Sequence, residues 1–297
     1  MVTPLDQRPR SGPYSGLNIN SAKRFLTEQF RQAGLPTPDL DARLLVGHAA
    51  GLDAAQMIAQ GTECLDLDTF NIVSNYAERR LAREPVDHIL GYRSFYGRRF
   101  KLSKETLSPR PETEMLVDAA LDILGGRQNA RILDLGTGTG AIALSVLAEN
   151  PSVSAVGVDI SAAALTIARS NAETLGLSGR VSCVCVDWLS QVSGAFDIIL
   201  SNPPYITDAA MTTLDPEVAE FDPALALQGG ADGLTAYRAI ISKMRPFIRA
   251  GGTALFEIGH DQCQPVVKLL NAHGFKGAEA FQDLAGHDRM IKVSKPS

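Results

Sequence analysis

From residue 131 to the end, this chain alternates short apolar runs with stretches of helical spacing. The runs are Arg131–Leu135, Val153–Val158, Val181–Val186, Phe196–Leu200 and Thr253–Ile258. Runs this short and this continuously apolar suit strands buried on both faces. Between them, Ala141–Glu149, a segment opening at Ser161, Asp232–Arg249 and Gln262–His273 read as helices. Strands separated by helices imply a mostly parallel sheet covered on both faces, hence an α/β fold. Two closing strands are expected near Gly277–Phe281 and Met290–Val293, which makes a sheet of seven. In such a sheet, ligands bind beyond the carboxyl ends of the strands.

The remainder of the 297 residues divides by composition. Residues 1–20, rich in Pro, Gly, Ser and Arg, read as a loose tail without an apolar signal core. Residues 21–84 read as a small helical domain: Ser21 to Ala33 with Ser21 as cap, Asp39 to Gly51, and Leu67 to Arg83. Residues 85–107 carry aromatic residues punctuated by Gly91 and Gly97, the pattern of a β-hairpin linker. The α/β domain then occupies residues 108–297. No apolar run approaches the length of a membrane span, and a cytoplasmic protein is expected.

Charge is distributed unevenly. Residues 1–107 hold 14 Lys+Arg against 12 Asp+Glu, and the remainder 14 against 21, for a net charge of −5. The basic excess comes from Arg79, Arg80, Arg83, Arg93, Arg98, Arg99 and Lys101. These residues form either a solvated surface or a docking face for an acidic or RNA-bearing partner. The four cysteines have no metal-ligand spacing and read as buried thiols in a reducing compartment. No metal is expected.

Two stretches carry chemistry. Asp134-Leu135-Gly136-Thr137-Gly138-Thr139-Gly140 joins the first strand to its helix, where glycines let a backbone approach a ligand closely. Gly136, Gly138 and Ala141 also fit a dinucleotide fingerprint, so the loop alone leaves the cofactor open. Asp159 ends the second strand, where a carboxylate can accept from both ribose hydroxyls. Asp187-Trp188 ends the third, where the carboxylate can accept from an adenine amine and the indole can cover its ring. The second stretch, Asn202-Pro203-Pro204-Tyr205, follows the apolar run at 196–200. A carboxamide, two rigid prolines and an aromatic ring at a strand end make a polar notch beside a flat wall. Such a notch suits a planar nitrogen group and gives Asn202–Tyr205 a job that a nicotinamide dehydrogenase would leave unfilled.

Together these residues resemble a known family. Asp134–Gly140 is similar to the first motif of class I S-adenosylmethionine-dependent methyltransferases, and Asn202–Tyr205 to the NPPY motif of enzymes that methylate planar nitrogens. The likeness to HemK-type release-factor glutamine methyltransferases extends to Pro85–Gly91, Phe95-Tyr96-Gly97, Pro109–Glu114 (PRPETE), Glu257-Ile258-Gly259 with Gln262, and Asp283–Arg289 (DLAGHDR). One departure is Ser108, where the family usually carries isoleucine. The resemblance implies a Rossmann-like class I methyltransferase sheet and S-adenosylmethionine as methyl donor, leaving S-adenosylhomocysteine. The implied substrate is the side-chain amide (N5) of the glutamine in the Gly-Gly-Gln motif of class-1 peptide release factors. A sister family that acts on a ribosomal-protein glutamine shares NPPY but lacks PRPETE.

On that reading the cofactor side comprises Asp134, Gly136, Thr137, Gly138, Thr139, Gly140, Asp159, Asp187, Trp188 and Asn202. The substrate side comprises Asn202, Pro203, Pro204 and Tyr205. The side-chain oxygen of Asn202 would accept one amide N–H and the Pro203 carbonyl the other, aiming the nitrogen lone pair, while Tyr205 lies against the amide plane. Arg110 and Glu112 either begin a helix or line the pocket. The stretch 202–222 holds Asp208, Asp215, Glu217, Glu220 and Asp222 with no Lys or Arg. That disfavours the rival reading, an N6-adenine methyltransferase on nucleic acid, because phosphates would be repelled there.

Overall fold

The computed structural model describes residues 16–296, in two compact units divided after Leu90. Of the tail expected over residues 1–20, residues 1–15 lie outside the described residues, and Ile19 and Asn20 already belong to the first helix.

The first unit is helical: α1 (Ile19–Gln32), α2 (Pro38–Ala50), α3 (Ala54–Ala59), α4 (Leu67–Leu81) and α5 (Val86–Leu90). Asn18, rather than Ser21, caps α1. Its Oδ1 accepts the Ser21 N–H at 2.8 Å, which places Ser21 inside the first turn. The sequence reading missed α3, which is too short to display a helical period. It is held by a reciprocal box, in which Asp53 accepts from the Gln56 N–H and Gln56 from the Asp53 N–H. Leu26, Phe30, Leu45, Val46, Phe70 and Val73 form the core. Arg80, expected among the surface cations, is buried instead, and its Nε donates to Asp41 Oδ2 at 2.7 Å, joining α4 to α2. Arg79 is also paired, with Glu84 at 2.6 Å. Internal acids therefore consume part of the basic excess.

The second unit opens with the hairpin β1 (Tyr92–Phe95) and β2 (Arg98–Lys101). A 3₁₀ turn (Pro111–Thr113) leads into α6 (Glu114–Leu124). Alternation then follows: β3 (Arg131–Leu135), α7 (Ala141–Glu149), β4 (Ser154–Asp159), α8 (Ala162–Thr174), β5 (Val181–Cys185) and β6 (Phe196–Ser201). Next come β7 (Ile206–Thr207), α9 (Asp208–Met211), α10 (Pro216–Ala219), α11 (Ala224–Leu227) and β8 (Gln228–Gly230), none of which the sequence reading found. The chain closes with α12 (Thr235–Ile241), β9 (Ile248–Glu257), α13 (Cys263–Ala272), β10 (Glu279–Gln282) and β11 (Asp288–Ser294).

The main sheet has seven strands in the order β10-β11-β9-β6-β3-β4-β5. Pairs from β9 through β5 are parallel, and β11 is antiparallel to both of its neighbours. Alternate side chains feed two cores. Ile132, Ile198 and Leu200 pack with α6 and α7, while Leu133, Leu135 and Ile199 pack with α12 and α13. This is the class I methyltransferase architecture.

Three expectations need correction. The helix expected over Asp232–Arg249 stops at Ile241, and Arg245–Phe247 is a 3₁₀ turn. Pro246 lacks an N–H and pushes Arg245 away from helical geometry. The following strand begins at Ile248, ahead of the expected Thr253: Ile248 pairs with Phe196 of β6, the register shifts, and Gly251 and Gly252 bond to the Lys295 backbone before the main ladder resumes at Thr253. The thiols are not buried: Cys64 and Cys185 are exposed, and Cys183 and Cys263 half-buried. Cys183 and Cys185 sit on β5, an edge strand that has a partner on one side only.

The hairpin is integral to the second unit. Phe95 and Phe100 are buried in the core that also holds α6 and α7. Asn171 of α8 accepts the Lys101 N–H at 2.8 Å and donates to the Lys101 carbonyl at 3.2 Å and the Thr139 carbonyl at 2.9 Å. One side chain thus ties the hairpin to the glycine loop. Arg98 pairs with Glu149 at 2.7 Å, and the Arg99 guanidinium lies 4.7 Å from the Tyr92 ring centroid. Phe100→Ala is expected to lower stability by about 3–5 kcal/mol, the usual penalty for emptying a buried aromatic site. Urea unfolding checks this, and a loss under about 1 kcal/mol would mean that the hairpin is only a connector.

Candidate active site

Strand register puts the site's residues in one row. Leu135 pairs with Ser201 and with Val158, and Ser201 pairs with Phe256. The next residues along these strands are Gly136, Asn202, Asp159 and Glu257, which therefore sit side by side at the carboxyl edge. The chain leaves β3 toward β4 on one side and β6 on the other, so β3 and β6 flank the point where the winding reverses. The Ser201 hydroxyl donates to the Leu135 carbonyl at 2.8 Å and locks the two strand ends together.

A cavity of about 350 Å³ opens over this row. Gly136, Gly138, Asp159, Asp187, Trp188 and Asn202 line it, with apolar walls that include Val158, Ala164 and Leu225. Its acids are Glu105, Asp159 and Asp187, and no Lys or Arg among the described residues lines it. Such a cavity suits a positively charged nucleoside. Gly136 has φ +73°, and a Cβ there would lie 3.5 Å from the Trp188 indole. Trp188 itself adopts φ +48°, a left-handed conformation that is uncommon for a bulky residue. The strain holds the indole against the glycine turn, as a wall of the cavity.

Four of the cofactor-side residues named from sequence do not line the cavity but build its floor. Asp134 is fully buried; its Oδ2 accepts from the Thr137 hydroxyl at 2.6 Å, and the Ala143 N–H faces the same carboxyl. The Thr139 carbonyl is held by Asn171, and Gly140 caps α7 with φ +80°. Asp159 braces the loop, its Oδ2 accepting the Gly138 N–H and its Oδ1 the Ser161 N–H, each at 2.9 Å. Both oxygens retain a free lone pair for a ribose.

Asn202 is oriented from behind. Its Nδ2 donates to the Thr113 hydroxyl at 3.2 Å, and that hydroxyl donates to Glu257 Oε2 at 2.6 Å. Its Oδ1 makes no hydrogen bond within the described residues. Pro203 is buried, while Pro204 and Tyr205 are half-buried. The Tyr205 backbone is gripped on two sides. Gln262 Nε2 donates to its carbonyl at 3.0 Å, and a Cβ at Gly229 would come within 2.8 Å of its Cα. Only glycine permits that approach. Burial, and then the nearby Glu257 carboxylate, push the Tyr205 phenol up to about 12.

The PRPETE segment begins a helix, one of the two readings considered for it. Pro111–Thr113 starts the turn into α6, with Glu112 exposed, and Arg110 donates to the buried Asp222 at 2.8 Å. The pair draws the segment after the notch, which carries α10 and α11, toward PRPETE. Ser108, the departure from the family pattern, is buried. In the DLAGHDR turn, Asp283 accepts from the Ala285 and His287 N–H groups and from Arg289 Nε at 3.0 Å.

Sequence reasoning missed Thr113, Glu257, Gln262 and Gly229. A signal existed for Glu257, since a carboxylate ending an otherwise apolar strand is itself unusual. Thr113 lay inside a motif already noted. Glu257 and Gln262 lay in a segment that carried the family resemblance, while Gly229 carried no local signal, because it acts through the Tyr205 backbone.

Comparison with known proteins gives a concordant result. The family model described as Methyltransferase small domain matches residues 112–220, and that of the PrmC N-terminal domain matches residues 21–91. A release factor glutamine methyltransferase of Bradyrhizobium diazoefficiens is 43% identical over 289 residues, covering 96% of this chain and 97% of that protein. One from Agrobacterium fabrum is 43% identical over 268 residues, covering 89% and 93% respectively. Among solved structures, the hMettl16 catalytic domain in complex with a MAT2A 3′UTR hairpin has a TM-score of 0.57 at 14% identity, covering 85% of this chain and 94% of that one. That last likeness is one of fold alone.

Desolvation raises two buried carboxyls of the site, Asp134 to about 6 and Glu257 to about 7. Above the ordinary carboxylate range, the folded chain keeps these protons while the unfolded chain has released them. Their contribution to stability is therefore complete in acid and is lost as pH rises through about 6 to 7. For Asp134 the shift from 3.8 to about 6 corresponds to about 3 kcal/mol. Urea unfolding of ligand-free Asp134→Asn should show a smaller stability loss between about pH 5 and about pH 8 than wild type. An equal or larger loss in the variant contradicts the assignment.

Proposed function

This chain belongs to the release factor glutamine methyltransferase family, and from that membership we propose how its residues perform the reaction. The protein methylates the side-chain amide nitrogen (N5) of the glutamine in the Gly-Gly-Gln motif of class-1 release factors. An amide nitrogen is a poor nucleophile because its lone pair is delocalised into the carbonyl. S-adenosylmethionine, when bound, supplies a methyl group on a sulfonium, a good leaving group.

Asn202 Oδ1 accepts one N–H of the substrate amide, and the Pro203 carbonyl accepts the other. Two acceptors on one nitrogen fix its orientation and favour the positive charge that develops there. Orientation of this kind is worth on the order of 7–11 kcal/mol of a barrier. Tyr205 covers the amide plane and excludes water. No general base is needed before transfer, since the nitrogen sheds its proton afterwards. Asp159 takes the ribose hydroxyls, Asp187 the adenine amine, and Trp188 the adenine face. The acids around the cavity favour the sulfonium.

The observation carrying this reading is the Asn202 amide. Its amino end is engaged by Thr113 at 3.2 Å, its oxygen is unengaged within the described residues, and it lines an acid-rich cavity. The test incubates the protein with labelled S-adenosylmethionine and purified release factor, either wild-type or with the motif glutamine replaced. Label is expected on the wild-type factor alone; label on both, or on neither, refutes the reading. Asn202→Ala should lower turnover by about a hundredfold or more while the urea midpoint stays near wild type.

The helical residues 21–84 are proposed to dock the release factor in the cytoplasm. Leu40 and Leu44, one turn apart on α2, are each about two-fifths exposed, and Leu67 is more so. Replacing Leu40 and Leu44 together with Ser should raise KM for the release factor and leave S-adenosylmethionine affinity unchanged; an unaltered KM removes that role. No helix within the described residues is long and apolar enough to cross a membrane.

A further inference from the structure

The reading of Asn202 as an amide clamp leaves open what keeps its two ends from exchanging places. Oxygen and nitrogen of a carboxamide differ little in size, so packing alone cannot tell them apart. A half-turn about the last side-chain bond would present an N–H donor to the substrate amide, where an acceptor is required. The distinction must come from hydrogen-bond polarity behind the residue.

Thr113 and Glu257 provide that polarity. The Thr113 hydroxyl has one proton, and it is directed at Glu257 Oε2 across 2.6 Å, the shorter of its two bonds. Its lone pairs are then what remains for Asn202, and only the amino end of Asn202 can donate to them, at 3.2 Å. Both Thr113 and Glu257 are buried, so water does not compete for these groups. The Glu257 main chain is anchored as well, its carbonyl accepting from the Tyr237 hydroxyl at 2.7 Å.

We infer that Thr113 and ionised Glu257 are positioning residues that set the orientation of the Asn202 amide, and that protonation of Glu257 reverses it. A protonated Glu257 donates its own O–H to Thr113. The Thr113 proton is then released toward Asn202, and its best acceptor is Oδ1, brought round by the half-turn. No covalent bond changes, and the single added proton resides on Glu257. Other groups facing this carboxyl are Glu112, which raises its affinity for the proton, Arg289 and the Asn202 amide itself, which lower it, and the Tyr205 phenol; the contact with Asn202 points the amino end of that amide toward ionised Glu257, in the same sense as Thr113 does. With the carboxyl pushed up to about 7 by burial, the change falls near neutral pH.

The inference rests on the Asn202 clamp, and its test separates the two. Turnover is measured on the purified release factor across a pH series for wild type, Thr113→Val, Thr113→Ser and Glu257→Gln. Cofactor affinity and urea midpoint are measured for each variant. Thr113→Val should lower kcat roughly ten- to a hundredfold, with KM for the release factor nearly unchanged, since misorientation acts in the transition state. Thr113→Ser, which restores the hydroxyl, should recover most of that loss. Wild-type kcat should fall on the acid side of about pH 7. Glu257→Gln, which keeps an acceptor but has no proton to gain, should lose that acid limb. Wild-type kcat in Thr113→Val, an equal loss in Thr113→Ser, or an unchanged acid limb in Glu257→Gln overturns the inference. If Asn202→Ala retains normal turnover, it is the clamp reading that fails.

Discussion

Everything in the catalytic unit depends on the lateral register of four parallel strands. The pairs Leu135–Ser201, Leu135–Val158 and Ser201–Phe256 end their strands at one level. Four residues separated by up to 121 positions, Gly136, Asn202, Asp159 and Glu257, are thereby delivered to one edge. A slip of one residue would turn each side chain to the opposite face. The alternation of Ile132, Leu133 and Leu135 between the two cores makes such a slip expensive, because it would put Asp134 into the wrong layer. Hydrophobic packing therefore secures the accuracy of a polar site.

That site is maintained against the preference of its own charges. Asp134 and Glu257 are carboxyls in an apolar interior, held well above their ordinary range mainly by desolvation. Each is tolerated because a threonine hydroxyl donates to it, Thr137 in one case and Thr113 in the other. The two pairs have different consequences. Thr137 and Asp134 stiffen the turn beneath the cavity, while Thr113 and Glu257 face the notch through Asn202. In both, a buried acid orients a short hydroxyl.

Legibility in the sequence followed the range of the physics behind each element. The five parallel strands are found at or within a few residues of where the apolar runs put them, because burial on both faces leaves a continuous signature. Ser161 caps its helix as expected, accepting the Ala164 N–H at 3.1 Å, since a cap is a local interaction. The stretch from Ile206 to Gly230 went unread. Its helices span four residues each, too short for a period, and it is held by distant contacts such as Arg110–Asp222 and Gln228–Asp208. The basic excess misled for a similar reason. A count of charges cannot show that Arg80 is buried against Asp41, 39 residues away.

The sequence by itself determined the α/β class, the glycine turn and the NPPY notch, and it narrowed the chemistry to a planar nitrogen group. Those conclusions follow from burial patterns, backbone restrictions and functional groups that are intrinsic to the residues. Only the tertiary structure decided which residues share the site's work. It moved Asp134, Thr137, Thr139 and Gly140 to the floor of the cavity and brought Gln262 and Gly229 to the Tyr205 backbone. It also set Thr113 and Glu257 behind Asn202. Those roles arise from distances between segments far apart in the chain, and sheet register and core packing set such distances.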